Sequence, residues 1–173
     1  MSEAAAAVCL EAVEFDGRLP QAYARIDRFA LGGDATHMTG GDPAGLTLRH
    51  LVARVVDNRP VQLIHAHGTG TTFNDPIELA AFDELCVGDV APSIYSHKGA
   101  LGHSLGAAGL VSVALNCMMH AEHVIPPNVQ TRQAIGTRRV QINPYAKSQA
   151  TRRSLCVAAG FGGPTTVISM ISG

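Results

Sequence analysis

Apolar and polar residues change rhythm several times along the chain. Ala4 to Phe15 is rich in alanine and valine and predicts a strand that Gly17 and Pro20 break. Ala22 to Leu31 alternates apolar with polar residues and predicts a second strand, paired with the first. Asp42 followed by Pro43 supplies a cap and a first-turn proline, and Leu46, Leu51, Val52, Val55 and Val56 recur at helical spacing. Val61 to Ile64 is a short apolar run that ends in His65-Ala66-His67-Gly68, a strand feeding a glycine-rich loop. Asp75-Pro76-Ile77-Glu78 combines an N-cap, a proline at the first helical position and a capping-box glutamate, so a helix begins there. Ser93 to Ser96 predicts a strand, and Lys98 to His103 a tight connection. Ser104 to about His120 is apolar nearly all round, the pattern of a buried central helix. Val140 to Ile142, Ser154 to Ala159 and Thr165 to Ile171 predict strands, the last two an antiparallel pair joined by Gly160 to Pro164.

Strands alternating with helices predict an α/β fold, with a mixed central sheet of about five strands flanked by helices. The length of 173 residues fits one domain spanning positions 1–173. Charged residues make up only 16% of the chain and hydrophobic ones 46%, against about 25% charged in ordinary soluble domains. Much of the surface is therefore expected to face another protein. A formal net charge of −1 offers no basic stripe, so nucleic acid is not an expected partner. Cys9, Cys86, Cys117 and Cys156 are widely separated, with neither a disulfide framework nor a zinc ribbon among them. A reducing cytoplasm is the expected compartment. The N-terminal segment lacks the basic region of a signal peptide, and no apolar run is long enough to predict a membrane span.

Three clusters fall at the ends of predicted strands, where open α/β sheets place ligands: His65 to Thr71 (HAHGTGT), Lys98 to His103 (KGALGH) and Gly160 to Gly163 (GFGG). Each joins glycines, which let a ligand approach the backbone, to proton donors or a bulky aromatic. His65 and His67 share one face of a strand, and an H-x-H pair can hold a metal. No acidic residue follows His67 closely or flanks His103, and Lys98 would repel a cation, so no metal site is expected. Cys9, Cys117 and Cys156 fall where core residues are expected, and Cys86 ends a helix, where the dipole disfavours a thiolate.

HGTGT, then K-x-x-x-x-H about thirty residues on, then GFGG, is an ordered signature. With His37-Met38-Thr39, Asn74-Asp75, Glu78, GHSLGAAG and Val124-Ile125-Pro126-Pro127-Asn128, it resembles the C-terminal half of β-ketoacyl synthases from about Ser2 to Ser172. The resemblance implies a thiolase-like half-fold. It also implies that His67 and His103 hold the malonyl thioester carbonyl during decarboxylation, and that Lys98 orients its neighbours and biases histidine protonation. Thr69 and Thr71 would then bind the amides of a pantetheine arm, and Phe161 would act as a gating aromatic whose backbone N–H helps form an oxyanion hole. No cofactor is implied beyond the phosphopantetheine arm of acyl carrier protein, which carries the substrate. The preceding half of a synthase, with its acylated cysteine, has no counterpart in the sequence. A second synthase-like chain bearing that cysteine is therefore an expected partner, beside acyl carrier protein. The alternative is a non-catalytic accessory or chain-length-type subunit that pairs with a synthase. Three positions depart from the family pattern: Ala4 stands where a glycine is usual after Ser2-Glu3, His97 replaces a small hydroxyl residue before the lysine, and Thr165 an asparagine.

Overall fold

A computed structural model describes residues 1–12, 22–85 and 91–173. Among the described residues six strands form the main sheet, in the order β1-β8-β7-β2-β3-β5. They are β1 (Ala24–Gly33), β2 (Leu63–His65), β3 (Ser93–Tyr95), β5 (Gln141–Ile142), β7 (Arg153–Ala159) and β8 (Pro164–Ser172). The strands β7, β2, β3 and β5 run parallel, while β8 pairs antiparallel with both β7 and β1. The mixed sheet agrees with expectation and has one strand more. A separate two-stranded ladder joins β4 (Val124–Ile125) to β6 (Lys147–Ser148), pieces too short for any sequence period to reveal.

Helices α1 (Leu46–Val56) and α2 (Asn74–Leu85) cover one face of the sheet. Leu51, Val52 and Val55 of α1 and Phe82 of α2 pack there with Ile64, Leu155, Val157 and Val167. On the other face lies α4 (Ala108–Glu122), where Met119 meets Leu63, Tyr95 and Ile125. Strand alternation sorts β2 between the two layers. Leu63 and His65 point toward α4, while Ile64 and Ala66 join the α1/α2 core. Arg153 on β7, only 5% exposed, donates to the carbonyls of Val55, Val56 and Arg59 and to Ser169 Oγ. It satisfies the carbonyl end of α1, and Asp27 lies within ion-pair range of it.

Several expectations need correction. Residues 4–12 carry no strand and are largely exposed, Cys9 included; the rest of that predicted strand, 13–15, with Gly17 and Pro20, lies outside the described residues, as does Cys86. The partner of β1 is β8 rather than the N-terminal segment. Lys98–Leu101 forms a one-turn helix, α3, instead of a plain connection. Helix α4 is not buried all round. Its buried side carries Ser112, Asn116 and His120 beside Ala108 and Met119, while Leu110 and Met118 are exposed. The helix is inside out because its polar residues have hydrogen-bonding partners on the sheet.

Candidate active site

The three motif loops meet at the ends of β2, β3 and β7. His67 follows β2, and its ring lies 5.5 Å from that of His103, centroid to centroid, at 80°. His103 follows the short helix α3. The turn Gly160–Gly163 joins β7 to β8, closed by Gly160 N–H donating to Pro164 O at 2.9 Å and Gly163 N–H to Gly160 O at 3.3 Å. Those bonds leave the Phe161 N–H outside the turn's own pairing, and the Phe161 side chain is 75% exposed. Thr69, Thr71, Phe161, His67 and His103 all line one cavity of about 670 Å³. Its remaining wall includes Thr39, Phe73, Ile77, Leu105 and Val157, largely apolar groups.

Both histidines have a fixed tautomer. Ala159 N–H donates to His67 Nδ1 at 3.3 Å, and Leu105 N–H donates to His103 Nδ1 at 3.1 Å. A backbone N–H can only donate, so in each neutral ring the proton resides on Nε2. Burial is the main cause that lowers the His67 pKa to about 3, with the nearby Lys98 ammonium adding to it. The same two causes, in that order, lower His103. The pair is neutral at physiological pH and offers two N–H donors.

Lys98 does not line the cavity. It is 9% exposed, and its ammonium donates to the backbone carbonyl of His67 from behind. Burial lowers its pKa, opposed by Glu78 and Asp75. Glu78 does something other than close a capping box. Its carboxylate is buried and accepts from His67 N–H at 2.8 Å, Gly68 N–H at 2.6 Å and Asn74 Nδ2 at 2.7 Å. Burial raises its pKa against those bonds. The helix start is capped instead by Thr71, whose hydroxyl accepts from Asn74 N–H at 3.1 Å and lies 3.1 Å from Thr69 Oγ1. Gly68, at φ +44°, lets the loop turn under Ser96, whose side chain a Cβ there would meet at 2.7 Å. Ser96 Oγ donates to Gly68 O at 2.9 Å, a second tie between the loops.

The H-x-H pair divides between two partners. His65 bonds Asn116 and His97 on the α4 side, whereas His67 faces His103. Among the described residues no three His, Cys, Asp or Glu side chains are grouped to hold a metal ion. Asp34 and Asn128 are further site-shaping residues. Asp34 accepts from the N–H groups of Thr36 and Asp42, holding the wall loop beside Gly163. Asn128 donates to Ile94 O and accepts from Ser96 N–H, fixing the end of β3. Asn128 lies in a stretch the family resemblance picks out, but nothing in its local sequence announces this clamp.

The family model "Beta-ketoacyl synthase, C-terminal domain" matches residues 23–132. The chain belongs to the β-ketoacyl synthase family. A curated relative, 3-oxoacyl-[acyl-carrier-protein] synthase 2 of Rhizobium meliloti (strain 1021), is 33% identical over 172 residues, 94% of this chain and 40% of the relative. The chain thus spans about two fifths of such a synthase. The fold matches a type II polyketide ketosynthase solved in complex with its acyl-carrier protein and bound to the hexaketide. That match has a TM-score of 0.79 at 24% identity, over 87% of this chain and 39% of that one. It also matches the ishigamide ketosynthase/chain length factor, with a TM-score of 0.74 at 26% identity, over 87% and 38%. The thiolase-like α/β half-fold expected of a β-ketoacyl synthase is therefore the observed one.

Proposed function

We propose that the chain supplies the two-histidine half of a decarboxylative Claisen condensation, acting on a malonyl unit carried by acyl carrier protein. The observation that carries this is the pair of neutral rings at the cavity wall, each with Nδ1 occupied by a backbone N–H and Nε2–H left to donate. When the bond between the malonyl α-carbon and its carboxylate breaks, carbon dioxide leaves and the electron pair enters the thioester as an enolate. Two Nε2–H donors aimed at the enolate oxygen stabilise that charge without transferring a proton. The α-carbon then attacks the carbonyl of an acyl-cysteine thioester, forming the new carbon–carbon bond and expelling the cysteine as thiolate. Lys98 serves this step indirectly: it anchors the His67 carbonyl and its charge disfavours imidazolium. Thr69 and Thr71 offer hydroxyls to the amides of the pantetheine arm, and Phe161 stands over the mouth.

The cysteine comes from another chain in this proposal. Among the described residues no cysteine lines the cavity, and burial raises the thiol pKa of Cys117 and Cys156. The partner would be a second synthase-like chain covering the uncovered side of α4, making a heterodimer that works in the cytoplasm on fatty-acid or polyketide chains. In the reconstituted complex, His67→Ala or His103→Ala should each lower malonyl decarboxylation on the order of 10²–10³-fold, the scale for losing one oxyanion donor. Activity that survives both changes would overturn the proposal. The accessory reading, a chain-length-type subunit, is favoured only by the likeness to a ketosynthase/chain length factor; it predicts that both alanine variants leave decarboxylation intact and alter product length.

A further inference from the structure

His97 and His65 belong to no step above, yet they are 1% and 0% exposed and hydrogen-bonded ring to ring, His97 Nδ1 to His65 Nε2 at 2.9 Å. The direction of that bond can be derived. Asn116 Nδ2 approaches Leu155 O, a carbonyl that only accepts, and donates to Ser154 Oγ at 3.0 Å, so the amide oxygen faces His65. An amide oxygen also only accepts. The His65 ring nitrogen 3.3 Å from it, Nδ1, therefore carries the proton, which leaves a lone pair on His65 Nε2. His97 Nδ1–H must be the donor to that lone pair. Ser112 Oγ, 3.4 Å away, shares the same hydrogen while giving its own to Ala108 O. Every bond from His97 through His65 and Asn116 to Ser154 then runs one way, and Ser154 Oγ lies 2.8 Å from His120 Nε2. The bonds demand a neutral Nδ1–H tautomer of His65 and a proton on His97 Nδ1, and burial keeps the His97 ring neutral as well, so both are opposite in tautomer to His67 and His103.

The chain lies where it ties the two histidine motifs together. His65 ends β2, two residues before His67. His97 is the N-cap of α3, its carbonyl accepting from Ala100 and Leu101 N–H, and α3 begins with Lys98 and leads through Gly102 into His103. The His97 side chain thus ties β2 to the residue that caps the helix carrying Lys98 and leading to His103. Given the role proposed above for His67 and His103, we propose that His97 and His65 are positioning residues. Their one-way bond, anchored on Asn116, holds the two motif loops in register so that both site histidines present Nε2–H to the cavity.

The test rests on which nitrogen each ring uses. An asparagine amide at position 97 places a donor where Nδ1–H was, whereas leucine places none. In nitrogen-edited NMR of the full chain, His97 and His65 should be Nδ1–H tautomers, and His67 and His103 Nε2–H tautomers. His97→Leu should mix the tautomers of His103. In the complex with the cysteine-bearing chain and malonyl-carrier protein as substrate, it should lower kcat on the order of 10–100-fold with KM unchanged, the scale of a small misplacement. His97→Asn should restore kcat to within about threefold, since it keeps the donor. Nε2–H protonation of His97 or His65 in the wild-type chain would overturn the inference, and so would a His97→Leu variant with unchanged tautomers and kcat. Loss of the two-histidine function itself shows separately, as indifference of decarboxylation to His67→Ala and His103→Ala, and leaves the tautomer measurement decisive here.

Discussion

At the scale of single residues, the site is a set of histidines kept neutral by burial. His65 and His67 have pKa values lowered to about 3 and His97 to about 4, with desolvation the largest cause in each. In the unfolded chain all three titrate near the ordinary value of about 6.5. Between that value and pH 4 the unfolded state binds protons that the folded state refuses, so stability falls as pH falls and is regained as pH rises above about 6.5. The slope should approach about 4 kcal/mol per pH unit once all three are charged in the unfolded chain, at about 1.4 kcal/mol each. Urea titrations at stepped pH would measure it; a flat profile between pH 6.5 and 4.5 would show that the rings protonate in place. Asp34 and Asp83, lowered in the folded chain, act around and below their ordinary value of 3.8, whereas Glu78, raised by burial, binds its proton more readily in the folded chain and offsets part of the histidine slope above 4.5.

At the scale of elements, the sequence announces a strand or helix best where local chemistry decides it. Alternation places β1 and β8, and the spacing of Leu51, Val52 and Val55 places α1, because each of these has one plainly apolar face. The same logic misreads α4, whose polar side is the buried one, since periodicity reports where polar residues lie and not whether partners await them. It misreads Glu78 as well: a glutamate three residues after Asp75 has the local look of a cap, but its partners come from the β2 loop. The motif histidines were legible from their order along the chain, while the His65–His97 pairing depends on β2 and β3 being neighbours, which no local pattern encodes. Arg153 makes the same point about long-range dependence, and it can be tested. Arg153→Met should strip the donors from three carbonyls at the end of α1 and leave Asp27 less compensated, lowering stability by about 3 kcal/mol in thermal or urea unfolding. A loss under about 1 kcal/mol would mean that water replaces the guanidinium there.

At the scale of the whole molecule, the composition and the surface agree. Part of the chain's apolar share lies at the surface, on β1, where Phe29 is 74% and Leu31 70% exposed, and on Leu110 and Met118 of α4. These groups lie on the side proposed for the cysteine-bearing chain. Phe29→Glu or Met118→Glu should leave the isolated chain folded by circular dichroism and weaken co-purification of that partner at least tenfold, whereas an unchanged yield would place the interface elsewhere. The inside-out helix has one more consequence, for what can be measured on this chain by itself. A helix with polar groups bonded inward and apolar groups facing out gives the isolated protein only part of its possible stability. The remainder is supplied by mass action, about 2.7 kcal/mol when the covering protein stands at a hundred times its dissociation constant. The melting temperature is then a binding isotherm as much as a property of the fold.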